Sequence, residues 1–195
     1  MLVELKSRLR EISDLNAASD VLNWDQATYM PKGGADARGR QRAMLNRLAH
    51  EQAVEPALGQ LIDGLTRYGE NLPYDSDDAS LIRVARRDFQ KNIKIPSDHV
   101  EHATAHFSSS YDAWTRARPS NDFGMTVPYL ERTLDLSREY SSYFAPYDHV
   151  ADPHIDDADE GMTTALIGKL FGELKSQLVP MVQAICEQPA ADVLP

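Results

Sequence analysis

Leu2, Leu5, Leu9, Ile12 and Leu15 follow one another at steps of three or four residues. A helix completes a turn every 3.6 residues, so this spacing lines the five side chains along one stripe. The same period returns in Met44, Leu45 and Leu48, and again in Leu58, Leu61, Ile62 and Leu65. Nowhere does it give way to the alternating β-branched runs that a half-buried strand requires. No period of 20–50 residues marks a repeat array. The pattern predicts an all-α fold, an antiparallel bundle-like domain of about seven helices with essentially no strand, filling residues 1–195 as one region.

Punctuation residues set the expected boundaries. A first helix runs to about Leu22 and is broken by Pro31, Gly33 and Gly34. A second covers roughly Ala35–His50, with Arg38, Arg40, Arg42 and Arg47 outside, and a third Pro56–Tyr68, with proline in its first turn. GENLPYDSDD is a loop whose Asp and Ser cap a fourth helix, Asp77–Lys91. Ile95-Pro96-Ser97-Asp98 reads as an extended residue before proline and then a cap for a long helix, Asp98–Arg118. Asn121-Asp122 precedes a sixth, interrupted early by Pro128, and residues 146–161 form an irregular acidic connector. Thr163-Thr164 caps a last helix through Cys186, kinked at Pro180, and EQPAADVLP reads as its exit.

Composition narrows the function classes. Twenty basic against 30 acidic residues give a formal charge of −10, which repels phosphate backbones and anionic lipid and argues against nucleic-acid and membrane partners. No segment approaches the ~18 uncharged apolar residues of a membrane span, and MLVELKSRLREISD does not read as a signal peptide. One cysteine allows no internal disulfide; Cys186 lies in the apolar run LVPMVQAIC and is expected to be a buried, inert thiol. A reducing, cytoplasmic setting fits best.

Three clusters hold chemistry-bearing residues. In EHATAH, the spacing of His102 and His106 places both imidazoles on one helical face, as the first two ligands of a zinc site require. A zinc peptidase helix also needs glutamate directly after the first histidine to activate the metal-bound water. Ala103 stands there, Glu101 precedes the pair, and His99 lies one turn earlier, so the pair is rejected as a catalytic metal site. The acidic segment with Asp148, Asp152, Asp156, Asp157, Asp159 and Glu160, beside His149 and His154, lacks the EF-hand order and reads as a solvated, mobile connector. Asn23-Trp24-Asp25-Gln26-Ala27-Thr28-Tyr29 concentrates aromatic and hydrogen-bonding groups at a helix exit. Asn23, Trp24, Asp25, Gln26 and Tyr29 either line a cleft or cap the helix end while Trp24 anchors the core.

That last stretch also begins a resemblance. NWDQATYMP, leading into KGGADARGRQRAMLNRLAHE, resembles the opening of the carboxypeptidase Taq family of metallocarboxypeptidases. IPSDHVEHATAHFSSSYDAWTRARPSNDF is similar to that family's helix ending in W-x-x-A-R before N-D-F. VPYLERTLDLSREYSSYF is similar to its P-x-L-E helix with a following R-E-Y, and DDADEGMTTALIGKLFGELKSQLVPMVQAI to its D-x-x-E-P-G-M-T-T segment and next helix. Four blocks in order cover essentially residues 1–195, with departures where Glu160 directly precedes Gly161 and in ADPHIDD.

The resemblance implies an almost entirely helical enzyme that removes C-terminal residues from peptides, commonly as a homodimer with a deep groove. It implies zinc or cobalt held by H-E-x-x-H and a later glutamate in the C-terminal half of a much longer chain. No H-E-x-x-H occurs between Met1 and Pro195, so no ligand, base or carboxylate clamp carries over, and no cofactor is expected on this chain alone. The resemblance makes this region one wall or lid of the groove, with Asn23–Tyr29 nearest it. Two functions follow as expectations: the N-terminal portion of such a carboxypeptidase, silent alone, or a free-standing helical interaction and dimerisation module derived from one.

Overall fold

A computed structural model describes residues 1–187. The helices are α1 (Leu2–Thr28), α2 (Ala35–Ala53), α3 (Pro56–Glu70), α4 (Asp77–Asn92), α5 (Ser97–Ser120), α6 (Val127–Ser142), α7 (Asp152–Ala158) and α8 (Thr164–Cys186). A 3-10 turn, Phe123–Met125, precedes α6, and no strand occurs among the described residues. The fold is all-α, as the periodicity predicts. Most of the EQPAADVLP exit lies outside the described residues.

The chain divides into two compact units, Met1–Tyr143 and Phe144–Pro195. In the first, the stripe of α1 meets α3 and α4: Leu5, Leu58, Leu61, Ile62, Leu65, Ile82 and Ala85 are buried together, with Leu2, Leu9, Ile12 and Phe89 packed around them. The two helices α3 and α4 approach closely at Gly59, where a Cβ would lie 2.5 Å from Phe89 Cζ, so the ring occupies the space a side chain would need.

A second layer joins α1, α2 and α5. Most of its buried residues are small: Gly39, Ala43, Ala49 and Ala53 on α2, Thr104 and Ser108 on α5, Ser19 on α1. Small side chains bring helix axes together, and polar bonds then fix their register. Asn46 Nδ2 donates to Thr104 Oγ1 at 3.1 Å, Arg47 pairs with Glu101 at 2.9 Å, and His50 Nε2 lies 2.7 Å from the Ile95 carbonyl oxygen. Rising numbers on α2 meet falling numbers on α5, so the two run antiparallel.

Several boundaries differ from expectation for identifiable reasons. Helix α1 continues through Asn23–Thr28 because no glycine or proline interrupts it before Pro31. Ser97 is already helical, with Pro96 in the cap position and no side-chain cap bond. Asn121, in the left-handed region at φ 52°, ends α5, and Pro128 falls in the first turn of α6, where its missing N–H costs nothing. The connector 146–161 is not irregular throughout: Pro153 in a first turn starts α7. The caps at Ser76 and Thr163 are as expected, each accepting a backbone N–H at 3.3 Å.

In the second unit, α8 has no buried residue. Cys186 is exposed, which corrects the buried thiol read from its apolar neighbours; an apolar helix buries its residues only when something lies against them. No described helix is long and apolar enough to cross a membrane.

Candidate functional site

The segment Asn23–Tyr29 divides by direction. Gln26 is buried, and Nε2 donates to the Ser108 carbonyl at 3.1 Å while Ser108 Oγ donates back to Gln26 Oε1 at 2.7 Å. Asp25 pairs with Arg38, whose Nη1 also donates to the Leu22 carbonyl at 2.9 Å. Asp25 and Gln26 thus tie the last turns of α1 to α2 and α5. Trp24 and Tyr29 stay outside, ring centroids 5.4 Å apart and 58% and 76% exposed. Trp24 therefore does not anchor the core. Asn23 is exposed.

The histidines also part company. His106 Nε2 lies 2.9 Å from Thr133 Oγ1, 3.1 Å from Ser110 Oγ and 3.2 Å from the Tyr129 carbonyl oxygen. The Thr133 hydroxyl gives its proton to that same carbonyl at 2.8 Å, so toward the ring it accepts. Facing the Tyr129 carbonyl, which can only accept, Nε2 takes the donor role. His102 is exposed. His99, one turn earlier, is buried toward α6, with Nδ1 3.6 Å from Glu139 Oε1 and the ring edge-on to Tyr143. The Tyr143 hydroxyl donates to Glu139 at 3.0 Å and holds that carboxyl below its usual range. Among the described residues no group of three or more His, Cys, Asp or Glu side chains is placed to hold a metal ion. The residues present do not fit the metal site that the resemblance implies.

Desolvation pushes the His106 imidazole below its usual pKa, and Arg132 adds to this against the opposing bond to the Tyr129 carbonyl. A depressed native pKa means the unfolded chain binds more protons, so His106 contributes stability above an unfolded pKa of about 6.5 that is lost as pH falls. The His106→Gln variant keeps an N–H donor and removes the titration. Urea unfolding of both proteins at pH 7.5 and 5.5 is expected to show wild type losing more stability on acidification; equal losses would reject the role.

The acidic segment is tied down where a mobile connector was expected. Asp152 Oδ1 accepts from Thr164 N at 2.8 Å and from Thr164 Oγ1 at 2.6 Å, and Oδ2 accepts from His149 N at 3.0 Å. These bonds lower the Asp152 pKa, the Thr164 hydroxyl foremost. Asp156 Oδ1 accepts from Gly161 N at 2.8 Å, where φ of +81° favours glycine. Asp152 links the start of α7 to the start of α8.

A feature missed at the residue level is a cavity of about 520 Å³ between α5 and α6. Tyr111, Trp114, Phe123, Tyr129 and Leu130 wall it, and Arg118 stands among its lining residues. Trp114, Ala117 and Arg118 come from the W-x-x-A-R block and Asn121, Asp122 and Phe123 from N-D-F. The signal lay in those blocks, but helix ends hide which side chains a turn brings together. The aromatic walls suit an apolar group, and Ser110, whose Oγ lies 3.1 Å from His106 Nε2, also lines the cavity.

Residues 4–194 match the family described as "Carboxypeptidase Taq (M32) metallopeptidase". Carboxypeptidase 1 of Bacillus subtilis is 27% identical over 91% of this chain and 35% of its own length. A solved structure titled "BsuCP Crystal Structure" superposes with a TM-score of 0.88 at 25% identity, covering 95% of this chain and 37% of that one. An M32 carboxypeptidase from Deinococcus radiodurans R1 is 40% identical over 94% of this chain and 36% of its own, with a TM-score of 0.70. The chain thus spans little more than a third of the length of these relatives.

Proposed function

The chain belongs to the carboxypeptidase Taq (M32) family of metallopeptidases, and from that premise we propose that residues 1–195 are the N-terminal helical portion of a metal-dependent carboxypeptidase, catalytically silent alone. The observation that carries this reading is a family match across 4–194 in a chain spanning 35% of a curated relative and holding no H-E-x-x-H. Zinc or cobalt would belong to the complete enzyme, a homodimer working on peptides in the cytoplasm. Within it this portion supplies a helical wall beside the peptide groove; it binds and shapes, and moves no proton in the reaction.

The purified 195-residue chain, supplied with zinc or cobalt and a blocked dipeptide, is expected to release no C-terminal amino acid above a metal-only blank. Metal-dependent release that follows the protein through purification would overturn the silence.

The second reading, a free-standing helical interaction module, is favoured by one observation: the unit Met1–Tyr143 buries its own core. It predicts a cooperatively melting chain that exposes no apolar face, and the exposure of α8 weighs against it.

A further inference from the structure

The cavity between α5 and α6 lies wholly within the unit Met1–Tyr143 and measures about 520 Å³, inside the range of about 300–1,000 Å³ that small ligands occupy. Tyr111 and Trp114, ring centroids 5.8 Å apart, form its wall on α5, and Tyr129 and Leu130 its wall on α6. Ala117, a small buried residue, also lines it. The left-handed Asn121 then turns the chain, so that Asp122 and Phe123 come back to the same space. Asp122 N donates to the Ala117 carbonyl at 3.1 Å, which fixes that return. Arg118 and Asp122 both line the cavity, and among the described residues neither side chain has a hydrogen-bond or ion-pair partner. Asp112 and Arg116, on the same helix, do pair with each other at 3.0 Å.

We propose that this cavity binds a free apolar α-amino acid in its zwitterionic form. The side chain packs among the aromatic walls, the α-carboxylate meets the Arg118 guanidinium, and the α-ammonium meets Asp122. A guanidinium gives a carboxylate two parallel bonds. An ammonium is held by a carboxylate and favoured by the C-terminal end of a helix and by aromatic faces, and all three adjoin here. An amino acid carries both charges on one carbon, so it bridges opposite side chains that do not reach each other. A purely apolar ligand would leave both charges unused, and a phosphate compound would be repelled by Asp122. An interior residue of a peptide has neither charge. The site is complete within this unit and requires no metal and no bond cleavage.

Trp114 is one of two tryptophans, so in a Trp24→Phe background its fluorescence reports on the cavity alone. In the full 195-residue chain, L-leucine is expected to give a saturable change with a Kd on the order of 1 mM, and glycine none. N-acetyl-L-leucine lacks the ammonium and 3-methylbutylamine lacks the carboxylate; each should bind at least about fivefold more weakly. Arg118→Gln should weaken L-leucine by at least about fivefold and leave 3-methylbutylamine unchanged. Asp122→Asn should weaken L-leucine and leave N-acetyl-L-leucine unchanged. The unchanged member of each pair separates loss of one contact from loss of the fold. No saturable change by about 20 mM L-leucine would overturn the proposal. So would N-acetyl-L-leucine amide binding as tightly as L-leucine, which would assign the cavity to a side chain within a peptide. Equal weakening of every ligand by Arg118→Gln would also overturn it, because the guanidinium would then shape the cavity without pairing with the carboxylate.

Discussion

Replacing Ile62 with alanine is expected to destabilise the chain by about 3–4 kcal/mol and to lower the melting midpoint by roughly 10 °C. Ile62 is 1% exposed and sits in the cluster formed by Leu5, Leu58, Leu61, Leu65 and Ile82. Truncation loses the transfer free energy of the removed carbons and leaves a hole between rigid helices. The collapse that would fill it is limited on one side, where Gly59 already lies against the Phe89 ring. Natural domains hold only about 5–15 kcal/mol in total, so this one change removes a large share. Ile62→Val should cost about 1 kcal/mol. Leu170→Ala on α8 is the control: 51% exposed in the isolated chain, it should shift the free energy by under about 0.5 kcal/mol. Equal losses at Ile62 and Leu170, measured by thermal and urea denaturation, would contradict the assignment of the core.

The second large effect is expected at Gln26. Its amide and Ser108 exchange two hydrogen bonds across 82 residues of sequence, with Ser108 1% exposed. Gln26→Ala strands the Ser108 hydroxyl away from water and removes the second bond to its carbonyl, which should cost about 2–3 kcal/mol including the lost packing. Ser108→Ala strands Gln26 Oε1 and should cost about 1–2 kcal/mol. If the reciprocal pair is the cause, the double variant is less destabilised than the sum, with a coupling of about 1 kcal/mol. Additive losses would show that the two residues act separately.

These two sites mark how far the sequence could be read. The stripe through Leu5 and the Leu58–Leu65 run was visible because helical period is a local property, and burial on one face follows from it. The destination of Gln26 was not, because its partner lies on a helix that only the tertiary arrangement brings near. Asn23–Tyr29 stood out by composition, yet composition could not separate the inward Asp25 and Gln26 from the outward Trp24 and Tyr29; an extension of α1 past the expected stop at Leu22 made that division. Cys186 shows the converse. Its neighbours are apolar, but burial depends on what lies against a helix, and α8 has no buried residue. Asp152 was read as one carboxylate of a solvated run because the bond that fixes it reaches Thr164, 12 residues on. The four family blocks were legible in order, whereas the cavity they frame depends on the angle between α5 and α6.

The unequal distribution of core between the two units also bears on how the protein is made. Synthesis proceeds at about 5–20 residues per second, so the stretch after Tyr143 takes a few seconds to emerge. Helical domains rich in local contacts fold in microseconds to milliseconds. The unit Met1–Tyr143 can therefore finish folding on the ribosome while α8 is still being synthesised. What emerges next is an apolar helix with no buried residue of its own, the kind of segment that chaperones hold and that aggregates when they do not. For this chain the period of risk during biogenesis begins with α8, after the first unit has folded.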